Sequence, residues 1–570
     1  MTMILNKKDV ILFTLILFLI GTLMSCGGGT KKNAATAEQN TRVTVLDTSG
    51  YENITAKYIK EEYLTFSADD LSYPFSDKPI TVTVMQQRSG TAPQDFSDMW
   101  FLKMISELTN ITFKYQLVES SVWEERKNLA FASGDYPDVF FHGITPSDEL
   151  KYGPDGVFID LLPLFKQYAP NIITELKQYP DVVKAIVQDN GAIYCLPMIS
   201  YAPMQEAIPS RTNRKWLEKV GLDVPKTTDD LYAVLKAYKN QDPNGNGEAD
   251  EIPISRHTML ILSAFGFVDK YNDVIDGKYY FVPAQDNYRA YLAYMAKLYR
   301  EGLLDNDYFV QDDAQFNLKV SNRRVGFIES EPYVLLPNPE DYLQWIGIPP
   351  LTSEVNNKPC WPGISLHYQR SAGSAVITDK CKNPEAVVKF LNYIQTFEGT
   401  VSARLGPEDG KWSGRGGYTY EAKDSRHIYG AKIMVPEPFA SYYEFRTTVT
   451  PIGMPSYVNP MTDDITVSSD PSREGLVRHW AEAGVSDVKR LLYDLQYRLT
   501  EDELTRDAYY VSLATYADQM TAKFITGETA LNDTTWNNYI RELKSMGLDE
   551  MSALRQAGYN RYQALPDKIN

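Results

Sequence analysis

The chain has 570 residues, 43% of them hydrophobic, and a formal net charge of −17 at neutral pH. That length supports two or more packed domains. The acidic balance argues against nucleic acid and other polyanions held by bulk attraction as partners. Lys7 and Lys8 precede an apolar run, Val10 to Ile20, that is too short to span a bilayer comfortably. With small residues at its end, this is a secretory signal over residues 1–25. No later run is long and apolar enough to cross a membrane. Cys26 follows Leu23-Met24-Ser25, and the stretch from Gly27 to roughly Tyr51 is polar, small and without apolar period. It reads as a tether, with residues 26–78 outside the first folded lobe.

Ile80-Thr81-Val82-Thr83-Val84 alternates as a strand. Asp98 to Leu108 reads as a helix with Trp100, Phe101, Met104, Ile105 and Leu108 on one face. A second strand covers Ile111 to Leu117, a second helix Trp123 to Ala132 ends at Gly134, and a third strand covers Asp138 to Phe141. This alternation is the pattern of an α/β lobe with a largely parallel sheet, whose ligands bind at the carboxyl ends of the strands. Arg88, the Ser121–Trp123 turn and His142 stand at those ends.

A second α/β lobe begins near Pro209. Thr227 caps a helix running to about Lys239, with Asp230 completing a variant of the capping box. A helix from Asn287 to Glu301 stops at Gly302, and Arg324 to Ile328 is a strand. Ser374 to Ile377 is another strand, followed by a helix from Pro384 to Gln395 with proline at its start. Ser472 to Ala557 is nearly all helical by period. Beyond Cys26 three cysteines remain, Cys195, Cys360 and Cys381, with no CxxC. They make neither a disulfide framework nor a zinc site; a Cys360–Cys381 bridge stays open, and unpaired thiols are the expectation.

Five segments carry a resemblance. They are Ala132-Ser133-Gly134-Asp135-Tyr136-Pro137-Asp138-Val139, Lys215 to Leu222 with Pro225-Lys226-Thr227, Leu298 to Asp305, Lys523 to Gly527, and Tyr559-Asn560-Arg561-Tyr562. In that order they are similar to the extracellular solute-binding proteins of family 1, in the branch with lipoprotein and alginate-oligosaccharide-binding members. The Leu-Met-Ser-Cys run resembles the lipobox of bacterial lipoproteins. Gly406 to Trp412 departs from the family's glycine-rich stretch by a proline and an extra residue, which weakens any ligand contact carried over there.

The resemblance implies an α/β, two-lobed periplasmic-binding-protein-like fold of type II with a helical C-terminal extension. Residues 79–205 with 365–450 would form the first lobe, and 206–364 with 451–570 the second. The chain would cross near Tyr194–Pro209 and return near Trp361–Gly373. It further implies a lipid on Cys26 and a place on the outer face of the cell membrane, or on its periplasmic side in a host with two membranes. The expected activity is capture of an oligosaccharide by a monomer and delivery to ABC permease subunits by hinge closure, without catalysis.

Asp242-Pro243-Asn244-Gly245-Asn246-Gly247-Glu248-Ala249-Asp250-Glu251 is the sharpest motif. Oxygen side chains recur at Asp242, Asn244 and Asn246, Glu248 would offer its backbone carbonyl, and Asp250 and Glu251 would close the shell. Calcium takes six to eight oxygens from loops of this kind. The last acid comes earlier than in an EF-hand, whose twelfth position here is Pro253; the resemblance implies the same early acid in calcium-holding relatives. The competing reading is a plain Asn/Gly turn. Calcium here is expected to be structural.

The ligand candidates are Arg88, Trp123 and His142 on the first lobe, Glu329 and Tyr333 on the second, Tyr201, Trp361 and Tyr368 on the crossing segments, and Trp412. Aromatic faces would stack on sugar faces while Arg88, His142 and Glu329 bond hydroxyls; the 39 tyrosines suit such a surface. Against this, a strand-end histidine is often structural and a tryptophan often core; Trp100 and Trp216 are assigned to the core on their helical faces. HExxH, GxSxG, phosphate-loop and Rossmann patterns are absent. A carboxylate pair suited to glycoside hydrolysis stays open. A secreted carbohydrate-active hydrolase is therefore the enzyme alternative, and a surface binding or sensory protein for a non-sugar solute the third reading. Neutral or pectin-derived oligosaccharides are expected over alginate-like polyanions.

Overall fold

The structure, a computed structural model, describes residues 66–88, 93–178, 180–199, 210–256, 258–330, 344–360, 375–406 and 509–565 continuously, with shorter stretches between and around them. Two large hydrophobic clusters organise the described residues, with smaller ones beside them. The first is gathered around β1 (Ile80–Arg88), α1 (Trp100–Thr109), β2 (Ile111–Glu119), α2 (Trp123–Ser133) and β3 (Val139–Phe141). β1 is central and pairs in parallel with β2, from Ile80 opposite Ile111 to Arg88 opposite Glu119, and with β3 through Val84 opposite Val139. A strand from much later, Ala375–Ile377, closes the edge antiparallel to β3. The alternating sequence of β1 gives the buried set Val82, Val84, Gln86 and Arg88 on one face, while on the other Met85 is buried and Thr81 and Thr83 are exposed. Gly134, in the left-handed region at φ 72, ends α2 as the sequence predicts. Trp100 differs from expectation: it is half-buried at the first turn of α1, and Phe101, Leu102, Met104 and Ile105 form the buried face.

The folded body also begins earlier than residue 79. Phe75 is buried, Tyr73 and Phe75 pack on Tyr393, and the Ala68 N–H donates to Glu398 at 2.8 Å. Val43–Val45 pairs antiparallel with Ala431–Pro436. The tether expected to extend to residue 78 therefore does not describe 66–78, where apolar rings found a partner surface from a distant helix.

The second core surrounds β4 (Ser210–Asn213), α3 (Thr228–Asn240), β5 (Ile252–Ile254), α4 (Met259–Ala264), α5 (Asp286–Arg300), β6 (Val325–Glu329) and β7 (Trp345–Gly347). The sheet order is β7-β4-β6-β5, with β6 parallel to β5 and β4 antiparallel to both β6 and β7. Thr227 and Asp230 make the reciprocal capping box at the start of α3, and Trp216 is buried against Tyr238. Between the lobes in sequence, Met198–Ile199 pairs antiparallel with Tyr368–Gln369, so the outgoing and returning segments meet.

The C-terminal extension comprises α6 (Tyr509–Thr526), α7 (Asp533–Ser545) and α8 (Leu548–Ala564). Leu513, Phe524, Trp536 and Tyr539 join the second core, while Tyr562 joins the first. Met454 lies in the first core, against Tyr115, so that lobe continues past residue 450. Among the described residues Cys195, Cys360 and Cys381 form no disulfide, and Cys360 Sγ donates to the Ser263 carbonyl at 3.1 Å. Among the described residues no helix is long and apolar enough to cross a membrane.

Candidate functional site

At the carboxyl end of β6 the second lobe holds a cavity of 350 Å³ lined by Thr258, Met259, Tyr291, Tyr308, Phe309 and Glu329, and closed by Thr521 and Ile525 of α6. Glu329 is buried. Its Oε1 accepts the Leu260 N–H at 2.8 Å and its Oε2 the Met259 N–H at 3.1 Å, and Ser210 Oγ donates to Oε1 at 3.3 Å. Burial pushes its carboxyl up to about 7, against the pull of those three donors. Around it, the Tyr291 and Tyr308 hydroxyls share Thr258 Oγ1 at 3.2 and 2.8 Å, and Tyr288 O–H pairs with Thr521 Oγ1 at 2.9 Å. Tyr308 and Phe309 stand nearly at right angles, ring centroids 4.9 Å apart. Such a concave wall of rings with a few fixed polar atoms is the usual make-up of a small-molecule site.

A neighbouring cavity of 340 Å³ is lined by Glu251, Asp305, Asp307, Lys319 and Arg324. Its polar groups already serve one another: Lys319 Nζ lies 2.7 Å from Asp305 and 3.0 Å from Asp307.

The first-lobe candidates are brought together but packed inward. Trp123 is buried, and its indole N–H donates to the Gly143 carbonyl at 2.9 Å. Gly143 is at φ 80, and a Cβ there would stand 2.3 Å from the indole ring, so only glycine fits. Lys127 is fully buried and bonds Asp148 at 2.6 Å, while Asp148 accepts from the Thr145 N–H and hydroxyl, both at 2.8 Å. His142, half-buried at φ 62, is held in this turn. Arg88 is buried and paired with Glu119. Lys127 and Asp148 were not foreseen: a lysine on a polar helix face gives no sequence sign that it is buried.

The Asp242–Glu251 loop is tightly wound. Asp242 Oδ1 accepts the Gly245 and Asn246 N–H groups at 2.9 and 3.1 Å, and its Oδ2 the Gly247 N–H at 3.2 Å. Asn246 Oδ1 accepts the Glu248 N–H at 2.8 Å, and the Asn244 and Asn246 amides both reach Asp250 Oδ1, at 3.0 and 3.1 Å. Glu251 Oε2 is buried with no hydrogen-bond partner. Burial raises the Glu251 carboxyl, and the nearby Asp242 and Asp250 charges add to it. Among the described residues no three His, Cys, Asp or Glu side chains gather as a metal shell; this loop mixes carboxylates with Asn amides. An orphan carboxylate oxygen facing two further acids fits a hard cation.

Of the other expected residues, Cys26, Tyr201, Tyr333, Trp361 and Trp412 lie outside the described residues. Tyr368 is described by its backbone, paired with Ile199. The pocket residues Tyr288, Tyr291, Tyr308, Asp518 and Thr521 were not anticipated. Tyrosines three apart on α5 look like core positions in sequence, and they are buried; nothing there tells that a cavity adjoins them beside α6.

Two α/β lobes, crossing strands that pair with one another and a strand-end pocket define a two-lobed binding protein. The chain belongs to the bacterial extracellular solute-binding proteins, whose family model matches residues 99–400. It is 27% identical over 532 residues to the fructooligosaccharide ABC transporter substrate-binding protein FusA of Streptococcus pneumoniae serotype 4, across 88% of this chain and 93% of FusA. The solved structure of an S. pneumoniae FusA EF-hand mutant in complex with fructo-nystose matches with a TM-score of 0.66 at 25% identity, over 85% of this chain and 100% of that one. An extracellular solute-binding protein from Bifidobacterium longum subsp. infantis gives 0.69 at 25% identity, over 87% of this chain and 100% of that one. The family and fold expected from the five sequence segments are thereby met.

Proposed function

We propose that this protein captures an oligosaccharide and hands it to an ABC importer by closure of its two lobes, without turning it over. The family match carries the reading, and the ring-lined pocket at the carboxyl end of β6 supports it. Sugar rings present apolar faces to aromatic side chains while their hydroxyls seek polar edges, and the Tyr291, Tyr308 and Thr258 hydroxyl group offers such an edge. Cys26 carries the lipid that holds the protein at the outer face of the membrane, beside the permease. The Asp242–Glu251 loop holds a structural calcium ion, with Asp242, Asn244, Asn246, Asp250 and Glu251 as side-chain ligands and the Glu248 carbonyl beside them. The orphan Glu251 oxygen and the EF-hand named for FusA support that assignment.

The deciding experiment is thermal unfolding of the calcium-saturated chain from Gly27 onward against a panel of oligosaccharides, with product analysis. A ligand specific to the folded state raises stability by about 2.7 kcal/mol at a hundredfold excess over Kd. A rise with one sugar class and intact sugar afterwards is the expected result. No rise with any sugar overturns the reading, and sugar cleavage replaces it with a hydrolase. Metabolic labelling with a radiolabelled fatty acid, lost in Cys26→Ser, tests the anchor.

A further inference from the structure

We infer that the cavity between α5 and α6 is a subsite for one uncharged sugar ring, and that the C-terminal helix excludes acidic sugars from it by keeping Lys270 occupied. This rests on the sugar reading above and narrows it to a ligand class.

The cavity's 350 Å³ sits at the small end of ligand pockets, which run roughly 300–1,000 Å³. It therefore suits one end of a chain, not a whole oligosaccharide. Phe309 is 38% exposed beside half-buried Tyr308, an aromatic left in solvent at the rim where a packed core would cover it. The two rings at right angles form a corner that meets a sugar ring on its face and its edge. The hydroxyl pairs on the walls, Tyr291 and Tyr308 with Thr258 and Tyr288 with Thr521, each admit either direction of donation. Sugar hydroxyls both donate and accept, so such walls adapt to them.

Charge decides the class. The lining contains two carboxylates, Glu329 and Asp518, and one cation, Lys270. Lys270 Nζ lies 2.7 Å from Asp518 Oδ1, and Tyr271 O–H donates to Asp518 Oδ2 at 2.7 Å. Arg256, the other cation felt by Tyr308, is bound to Asp313. A uronic acid entering here would have to compete with Asp518 for Lys270, the one cation of the lining, at the modest cost of a half-exposed ion pair, or lie beside Glu329, which repels it once ionised. A neutral ring meets neither. The element that makes this choice is α6, which belongs to the C-terminal extension and contributes Asp518, Thr521 and Ile525.

Isothermal titration of the mature chain tests this with two matched panels: neutral fructo-, gluco- and galacto-oligosaccharides, and oligogalacturonates and alginate oligosaccharides of equal length. We expect a neutral ligand to bind about fivefold tighter than every uronate, the scale of a half-exposed ion pair. Phe309→Ala, at a partly exposed rim position, should weaken that ligand tenfold or more while the protein stays folded with a cooperative unfolding transition. Asp518→Asn, which releases Lys270, should raise uronate affinity up to about fivefold. Uronates binding as tightly as neutral sugars, or Phe309→Ala and Asp518→Asn both leaving affinities unchanged, overturns the subsite while sparing the sugar reading. Binding by neither panel overturns the sugar reading itself.

Discussion

Both lobes bring aromatic and charged side chains to the carboxyl end of a central sheet, yet they finish those ends in opposite ways. In the first lobe Trp123 fills the space completely, its ring against Gly143 and its indole N–H on the Gly143 carbonyl, with Lys127 and Asp148 buried behind. In the second, Tyr291, Tyr308 and Phe309 stand around a cavity, and Glu329 is tied down by the first N–H groups of α4. The same position in two sheets is thus a rigid plug on one side and an open receptacle on the other. Rings border a cavity only where neighbouring elements stop short of filling it; here α6 closes one side, Tyr291 stays buried and Phe309 stands at the exposed rim.

The largest test of this contrast is Trp123→Ala. Truncating a buried tryptophan costs about 3–5 kcal/mol, read by urea unfolding, with faster amide exchange confined to the first lobe. A variant that keeps its stability and loses only ligand affinity would make Trp123 an open platform and erase the difference.

A pH series sharpens the other side. Glu329 has its carboxyl raised to about 7 in the folded protein, from an ordinary value near 4.5 when unfolded. The folded state therefore binds the extra proton between those values. Its contribution to stability is fully present below about 4.5 and is lost as pH rises through about 7. Each pKa unit is worth about 1.4 kcal/mol, so the loss across that window is at most about 3.5 kcal/mol and disappears from the slope in Glu329→Gln. Buried Glu175 in the first lobe is raised in the same direction by desolvation, so Glu175→Gln should also flatten the curve. An unchanged slope in Glu329→Gln would mean that the second-lobe end is wetter than described.

Calcium separates the lobes again. Added to chelator-treated protein at a hundredfold excess over Kd, it should stabilise by about 2.7 kcal/mol, with new amide protection at residues 242–251 and none near Trp123. Equal protection in both lobes would end the idea of a local structural ion. The smallest effect concerns Lys219, whose Nζ bonds the Asp242 carbonyl and lies 4.0 Å from its carboxylate. Lys219→Met should tighten calcium binding by about 1 kcal/mol or less, the scale of an exposed pair, as read by competition with a chromophoric chelator.

Much of this was legible beforehand. Period-2 and helical runs placed β1, β2, α1 and α2, and Gly134 and the Thr227–Asp230 box marked where helices end and begin. The oxygen spacing of Asp242, Asn244 and Asn246 singled out the loop. These are local rules, written within a few residues, and the five ordered segments carried the family. Other features depended on distance. Glu329 was chosen for its place after a strand, but its two backbone donors come from a helix about 70 residues earlier. Tyr73 and Phe75 fall in the stretch expected as tether, and Tyr393, some 320 residues on, gives them a surface. The sequence by itself determined the elements, their caps, the two lobes and the candidate ion loop, because each follows from periodicity or short-range hydrogen bonding. Only the tertiary structure decided that Trp123 is a plug and that Tyr308 and Phe309 border a cavity. Whether an aromatic ring is covered depends on which distant helix lands beside it, and no window of sequence contains that contact.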